Sequence, residues 1–162
     1  KSVKTDYLSD FGYKTNTAAF SVGTSFEQYE NLFFSPEVEF SLESLETNSK
    51  ASASLKKQTS DYSDVYFNHS LKYDVRNSRY KASEGYMTKF IQLIPISSDG
   101  YELTNSFEIN KYNKLFSDMT GKASFYTRVV HSLNNKDVRT SKRVSLPSKK
   151  LRGFEPGKNW PC

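Results

Sequence analysis

The side chains that could take part in catalysis are few, and their spacing does not assemble a catalytic set. His69 and His131 fall at apolar positions of their segments, with no carboxylate or cysteine at metal-ligand spacing, so packed or interface histidines are expected. Glu37, Glu39 and Glu43 alternate along one segment, which places them on one strand face, where carboxylates are usually only solvated. No glycine loop for phosphate is present. The sequence therefore predicts neither an enzyme nor a cofactor or metal site.

Basic side chains are concentrated near the end of the sequence. Residues 136–158 carry eight of the 23 Lys and Arg residues and two acidic residues, a net charge of +6 in a chain whose total is +5. Such a segment could neutralise nucleic-acid phosphates. However, no aromatic side chain precedes Phe154 within it, so stacking on bases has little support. The favoured interpretation is a solvated loop, without nucleic acid as a partner.

Alternation of apolar and polar residues with a period of two predicts an all-β protein. Side chains on a strand point to opposite faces in turn, so such a run gives one apolar and one polar face. Six segments show the pattern, four of them clearly, and a seventh strand is possible over residues 3–10. The six segments are residues 17–26, 32–45, 64–74, 86–95, 103–112 and 122–133.

The connections between these segments predict an antiparallel up-and-down meander. Residues 28–31 and 113–118 are short turns, whereas residues 46–62 and the segment after Asn134 are long and polar. Helix-forming composition over residues 49–58 predicts one short helix within the first long connection.

The strand pattern fits two environments. Phe and Tyr number 12 and 11, and no apolar stretch approaches the length of a transmembrane helix. Long strands and abundant aromatic residues favour an outer-membrane barrel, whose apolar face meets lipid. A soluble β-sandwich, in which the apolar faces of two sheets meet, would show the same alternation. The pattern by itself leaves both architectures open.

Two motifs resemble one family. Residues 151–155 read Leu-Arg-Gly-Phe-Glu, similar to the Arg-Gly-Phe motif in the long sixth extracellular loop of the Omp85 superfamily. Residues 74–86 resemble the periplasmic turn of that family, an Asp-x-Arg-Asn/Asp run followed by Pro-Ser/Thr-x-Gly, with Ala82 where Pro is common. The motifs stand in family order, and residues 20–40 resemble the strands before that turn in its barrel-assembly branch, the BamA proteins. The resemblance implies a fragment of a transmembrane β-barrel of the Omp85 type.

The resemblance also implies roles for individual residues. Arg152 would point into the barrel lumen and pair with acidic groups on later strands, a role that suits a guanidinium. Gly153 would allow a tight turn at the loop tip, and Phe154 would pack the tip against the inner wall. Glu155 completes the loop motif. The residues of the turn motif are Asp74, Arg76, Asn77 and Gly85.

A function follows from the same resemblance. It implies the central part of an integral protein of the bacterial outer membrane that folds and inserts β-barrel proteins, without a cofactor. The implied partners are unfolded outer-membrane β-barrel substrates, accessory lipoproteins of an assembly complex and outer-membrane lipid. Three alternatives remain at this point: a secretion transporter of two-partner systems, a passive porin, and a soluble β-sandwich binding protein.

The end of the sequence departs from the family pattern. Relatives usually continue after the loop motif with Lys-Ile-Gly-Pro, whereas this chain reads Lys-Asn-Trp-Pro-Cys from residue 158. One inserted adenine in the gene would convert the first sequence to the second. We therefore expect residues 1–158 to be a partial barrel domain that ends in the sixth extracellular loop, and residues 159–162 to be a frame-shifted tail. Trp160 and Cys162, the single cysteine, would then have no function.

Overall fold

A computed structural model describes residues 2–9, 12–134 and 137–143, and the strands among them form one antiparallel sheet. The sheet is a meander that curls into a half-barrel, which confirms the predicted fold class. Strands are neighbours in the order β1-β2-β4-β5-β6-β7-β8, and the short β3 pairs with β4. The elements are β1 (Ser2–Tyr7), β2 (Tyr13–Gly23), β3 (Phe26–Tyr29), β4 (Leu32–Thr47), α1 (Ala53–Lys57), β5 (Ser60–Asp74), β6 (Gly85–Ser98), β7 (Glu102–Phe116), β8 (Met119–Ser132) and a 3-10 turn (Thr140–Lys142).

The strand predicted over residues 17–26 is interrupted, and Pro36 explains the interruption. β2 ends at Gly23, opposite Glu37, and β3 begins at Phe26, opposite Phe34. The carbonyl of Pro36 accepts a hydrogen bond from the Thr24 amide at 3.0 Å, so the backbone of Pro36 faces this neighbouring strand. Because proline has no amide hydrogen to donate, the ladder breaks opposite it. The predicted helix is present as α1, and the strands on either side of it reach further than the alternation indicated.

The two faces of the sheet differ in chemistry. We call the face that residues 137–143 cover the inner face, and the other the outer face. Large apolar side chains of the outer face are exposed, including Phe20 at 66% and Leu42 at 62%. The fully buried side chains are mostly polar, and the largest are Asp64 and Glu102. Buried polar groups and an uncovered apolar face are the reverse of a soluble sandwich, in which a second sheet covers the apolar side.

Aromatic packing on the outer face accounts for one of the two histidines. The ring of His69 lies 5.8 to 6.3 Å from the rings of Phe34, Phe67 and Phe90. His131 lies exposed on β8, paired with Leu103 of β7. Among the helices of the described residues, none combines the length and the hydropathy needed to cross a membrane.

Candidate functional site

The inner face carries a buried ion cluster that joins the segment after β8 to the sheet. The Nε and Nη2 atoms of Arg139 donate to the two carboxylate oxygens of Glu102 at 2.9 and 3.0 Å. Nη2 also lies 2.8 Å from a carboxylate oxygen of Asp64 on β5. The side chains of Arg139, Glu102 and Asp64 are 5%, 1% and 0% exposed. Because each charge has lost its water, the hydrogen-bonded counter-charges are what make its burial tolerable.

Aromatic rings and a hydroxyl complete the surroundings of Arg139. Its guanidinium carbon lies 4.6 Å from the ring centroid of Tyr62, within cation–π distance. The hydroxyl of Tyr66 accepts a hydrogen bond from Nη2 at 3.1 Å. On the carboxylate side, Ser98 of β6 donates to Asp64 at 2.7 Å. The guanidinium is therefore enclosed by groups from β5, β6 and β7.

The surroundings of Arg139 favour the charged form of its guanidinium. Burial opposes the charged form, but the hydrogen bonds from the guanidinium to Glu102 and to Asp64 outweigh it and raise the pKa of Arg139 above its ordinary value. Two carboxylates bind Nε and Nη2 of the one cation, whereas Nη1 is buried without a hydrogen-bond partner among the described residues.

The residues beside Arg139 are held in the same way. The backbone amide and the hydroxyl of Thr140 both donate to the side-chain oxygen of Gln58, each at 3.0 Å. The ammonium of Lys142 lies 4.9 Å from the ring centroid of Tyr66. Arg139 and Thr140 are consecutive residues of the segment after β8 (residues 137–143, the loop segment). Arg139 therefore contacts β5 of the sheet, and Thr140 contacts the connection that contains α1.

The sequence did not indicate this cluster. Arg139 belongs to the basic segment that was expected to be a solvated loop, and it is instead 4% exposed. The one available signal was an aspartate and a glutamate, Asp64 and Glu102, on the polar side of strands rich in uncharged residues. Residues 152–155, which were expected to place Arg152 in the lumen, and the tail 159–162 lie outside the described residues.

A second site is the turn between β5 and β6, where the four residues of the turn motif meet. Arg76 binds Asp74 through two hydrogen bonds, from Nε at 2.7 Å and from Nη2 at 2.8 Å. Lys72 lies 2.9 Å from the same carboxylate. The hydrogen bond to Asp74 raises the pKa of Arg76 despite the opposing effect of burial. This bidentate pair closes the base of the turn.

Asn77 and Gly85 determine the shape of that turn. The side-chain oxygen of Asn77 accepts hydrogen bonds from the amides of Ser83 and Glu84 at 3.0 and 3.2 Å, and its amide nitrogen donates to the Ser83 hydroxyl at 2.7 Å. Gly85 has φ +90°, and a Cβ there would lie 2.2 Å from the carbonyl oxygen of Val75. The motif is therefore explained by local geometry; that the turn faces the periplasm stays a prediction.

The Asn77→Ala variant is expected to lower the free energy of unfolding by about 1–2 kcal/mol, because two backbone amides lose their acceptor. Urea unfolding of the intact protein in lipid vesicles measures the loss. The matched control is Ser83→Ala, which removes one hydroxyl contact of Asn77 and keeps both amide bonds. An equal loss in the two variants would show that the amide bonds do not stabilise the turn.

The sheet and the loop segment enclose a cavity of about 1090 Å³. Glu37, Glu39 and Glu43 line it on the sheet side, and residues 140–143 line it on the loop side. Glu43 is only 4% exposed, so the expectation of solvated carboxylates is wrong for this residue. It lies beside Tyr62 in the strand register, under the curl of the sheet. The inner face thus combines buried charges with a large space whose lining includes apolar and aromatic side chains, such as Tyr7, Tyr13 and Leu45, as well as the three glutamates.

The sequence profile of the Omp85 superfamily domain matches residues 3–161 of the chain, nearly its whole length. No protein of curated function is significantly similar to the chain.

Proposed function

Since the chain belongs to the Omp85 superfamily, we propose that it forms part of the barrel wall of an outer-membrane protein that folds and inserts other β-barrel proteins. The partners of this activity are unfolded barrel substrates, accessory lipoproteins and outer-membrane lipid. The substrate strand would pair with an exposed strand edge of the barrel, because unpaired backbone groups at an edge are a template for a further strand. No cofactor enters the proposal.

The observation that carries the proposal is the polarity of the two faces. Exposed Phe20, Phe40 and Leu42 on the outer face suit contact with hydrocarbon, and the charged inner face suits a wet lumen. A transmembrane barrel requires this arrangement, because every backbone polar group must pair within the sheet and the band of side chains that faces lipid is predominantly apolar. The family match and the face polarity therefore support the same location.

The position of the loop segment favours assembly of barrel proteins, and not passive diffusion of solutes, as the function. A porin needs an open channel for its solutes. Here Arg139 and Thr140 tie the segment after β8 to the inner wall, where it occupies space that a channel would need. A protein that works on strands at its edge has no such requirement. The similarity of residues 20–40 to strands of the barrel-assembly branch favours the same choice.

Depletion of the protein in its own cells tests the proposal. We expect the amounts of several unrelated, folded outer-membrane barrels to fall together, because each would depend on the same insertion step. Heat-dependent mobility in gel electrophoresis separates their folded and unfolded forms. If folded barrels keep their levels while one secreted protein is lost, the protein is a secretion transporter. If only solute permeability changes, it is a porin, and in either case the proposal is wrong.

A further inference from the structure

We propose that Arg139, Asp64 and Glu102 form a clamp that positions the loop after β8 inside the half-barrel, and that barrel assembly depends on this position. The second half of the inference rests on the proposed function, whereas the first half concerns the fold alone. In this clamp Arg139 is a positioning residue, since it contacts the wall of the protein and no substrate.

The clamp spans three strands. Asp64 lies on β5 and Glu102 at the start of β7, and β6 runs between them. Ser98 at the end of β6 donates to Asp64, so the strand between the two carboxylates is joined to the cluster. One guanidinium therefore ties the loop directly to β5 and β7 at one end of the half-barrel, and Ser98 joins β6 to the same cluster through Asp64. Because these contacts bind the loop to the sheet just after β8, they define the direction in which the loop enters the half-barrel.

The chemistry of the cluster requires arginine. A guanidinium donates in several fixed directions, and here Nε and Nη2 reach Glu102 while Nη2 also reaches Asp64. A lysine ammonium is a compact point charge on a flexible stem and cannot match this fork. We therefore expect Arg139→Lys to keep the net charge of the cluster but to hold the loop in place less firmly.

The sheet does not need the clamp for its own hydrogen bonds. β5 pairs with β6 from Asp64 to Asp74, and β6 pairs with β7 from Gly85 to Leu93, through backbone groups that Arg139 does not contact. Loss of Arg139 alone would leave Asp64 and Glu102 buried without a counter-charge, which is costly. Neutralising all three side chains removes that cost. The variant Arg139→Gln/Asp64→Asn/Glu102→Gln thus separates release of the loop from damage to the sheet.

The test measures access to the loop in the intact protein in its membrane. Val138 is half-buried beside Arg139, so Val138→Cys, with Cys162→Ser, gives a single reporter thiol whose access rises when the loop is released. A membrane-impermeant maleimide reports how fast this thiol reacts. We expect Arg139→Ala and the neutral triple variant to react at least about tenfold faster than the parent, since breaking a buried ion pair shifts an equilibrium by more than this factor. Arg139→Lys should give a smaller increase.

Arg143→Ala is the matched control. Arg143 is exposed, and within residues 2–9, 12–134 and 137–143 its side chain donates only to the carbonyl of Val138, so its loss should leave the reaction rate unchanged. Reaction rates of the triple variant and Arg139→Ala that equal the parent rate would overturn the clamp. Faster reaction of the triple variant, with folded client barrels at their normal level, would overturn the dependence of assembly on the clamp. Because labelling needs no client protein, failure of the clamp and failure of the proposed function give different results.

Discussion

Replacing Phe20 by arginine should lower the stability of the membrane-inserted protein by about 2–4 kcal/mol, the cost of a cation near the centre of the bilayer on a lipid-facing strand. Phe20 is 66% exposed on the outer face and lies opposite Phe40, which stands at the middle of β4. A charge at this position has no partner across the strands and no water to solvate it. Urea unfolding of the intact protein in vesicles of defined lipid gives the free energy directly.

The adjacent residue provides the control for this prediction. Ser21 points to the inner face, since it lies opposite Glu39 in the strand register, whereas Phe20 lies opposite Phe40. Ser21→Arg adds the same side chain beside a carboxylate, and we expect its effect on stability to stay within about 0.5 kcal/mol. Equal losses from the two substitutions would contradict the assignment of the faces. A stable, detergent-independent Phe20→Arg protein would show that the outer face does not meet lipid.

The Gly85→Ala variant should lose about 3 kcal/mol or more, because a side chain there meets both a strained backbone conformation and a clash. At φ +90° a Cβ would lie 2.2 Å from the carbonyl oxygen of Val75 and 2.9 Å from the Cα of Arg76. Both are backbone atoms, so relief requires the turn itself to move. We expect a lower urea midpoint and an earlier loss of the folded band on heating.

Gly121→Ala is the matched control on β8. A Cβ at this position would meet the end of the Leu115 side chain at 3.0 Å, which can shift, and the φ of Gly121 is outside the left-handed region. Its effect should stay below about 1 kcal/mol, the ordinary preference between Gly and Ala. If both alanine variants lost the same stability, the conformation of Gly85 would not be the cause.

Both the strands and the turn between β5 and β6 could be predicted from the residues alone. Alternation with a period of two identified every long strand, because the pleat sends successive side chains to opposite faces whatever lies on either side. The turn motif was equally readable, since the ion pair of Asp74 with Arg76, the amide bonds to Asn77 and the close approach at Gly85 all join groups within ten residues of one another. The break between β2 and β3 was also within reach, because proline at position 36 removes a ladder donor.

The tertiary structure alone decided where the charges of the inner face meet. Arg139 lies 75 residues from Asp64 and 37 from Glu102 along the chain, and nothing in their spacing predicts contact. Alternation of polar and apolar residues predicts which face of the sheet a carboxylate occupies. Whether that face is solvated or covered depends on the curvature of the sheet and on the path of the loop. Pairing of buried charges depends on distances of a few ångströms between separate elements, and only the assembled sheet fixes them.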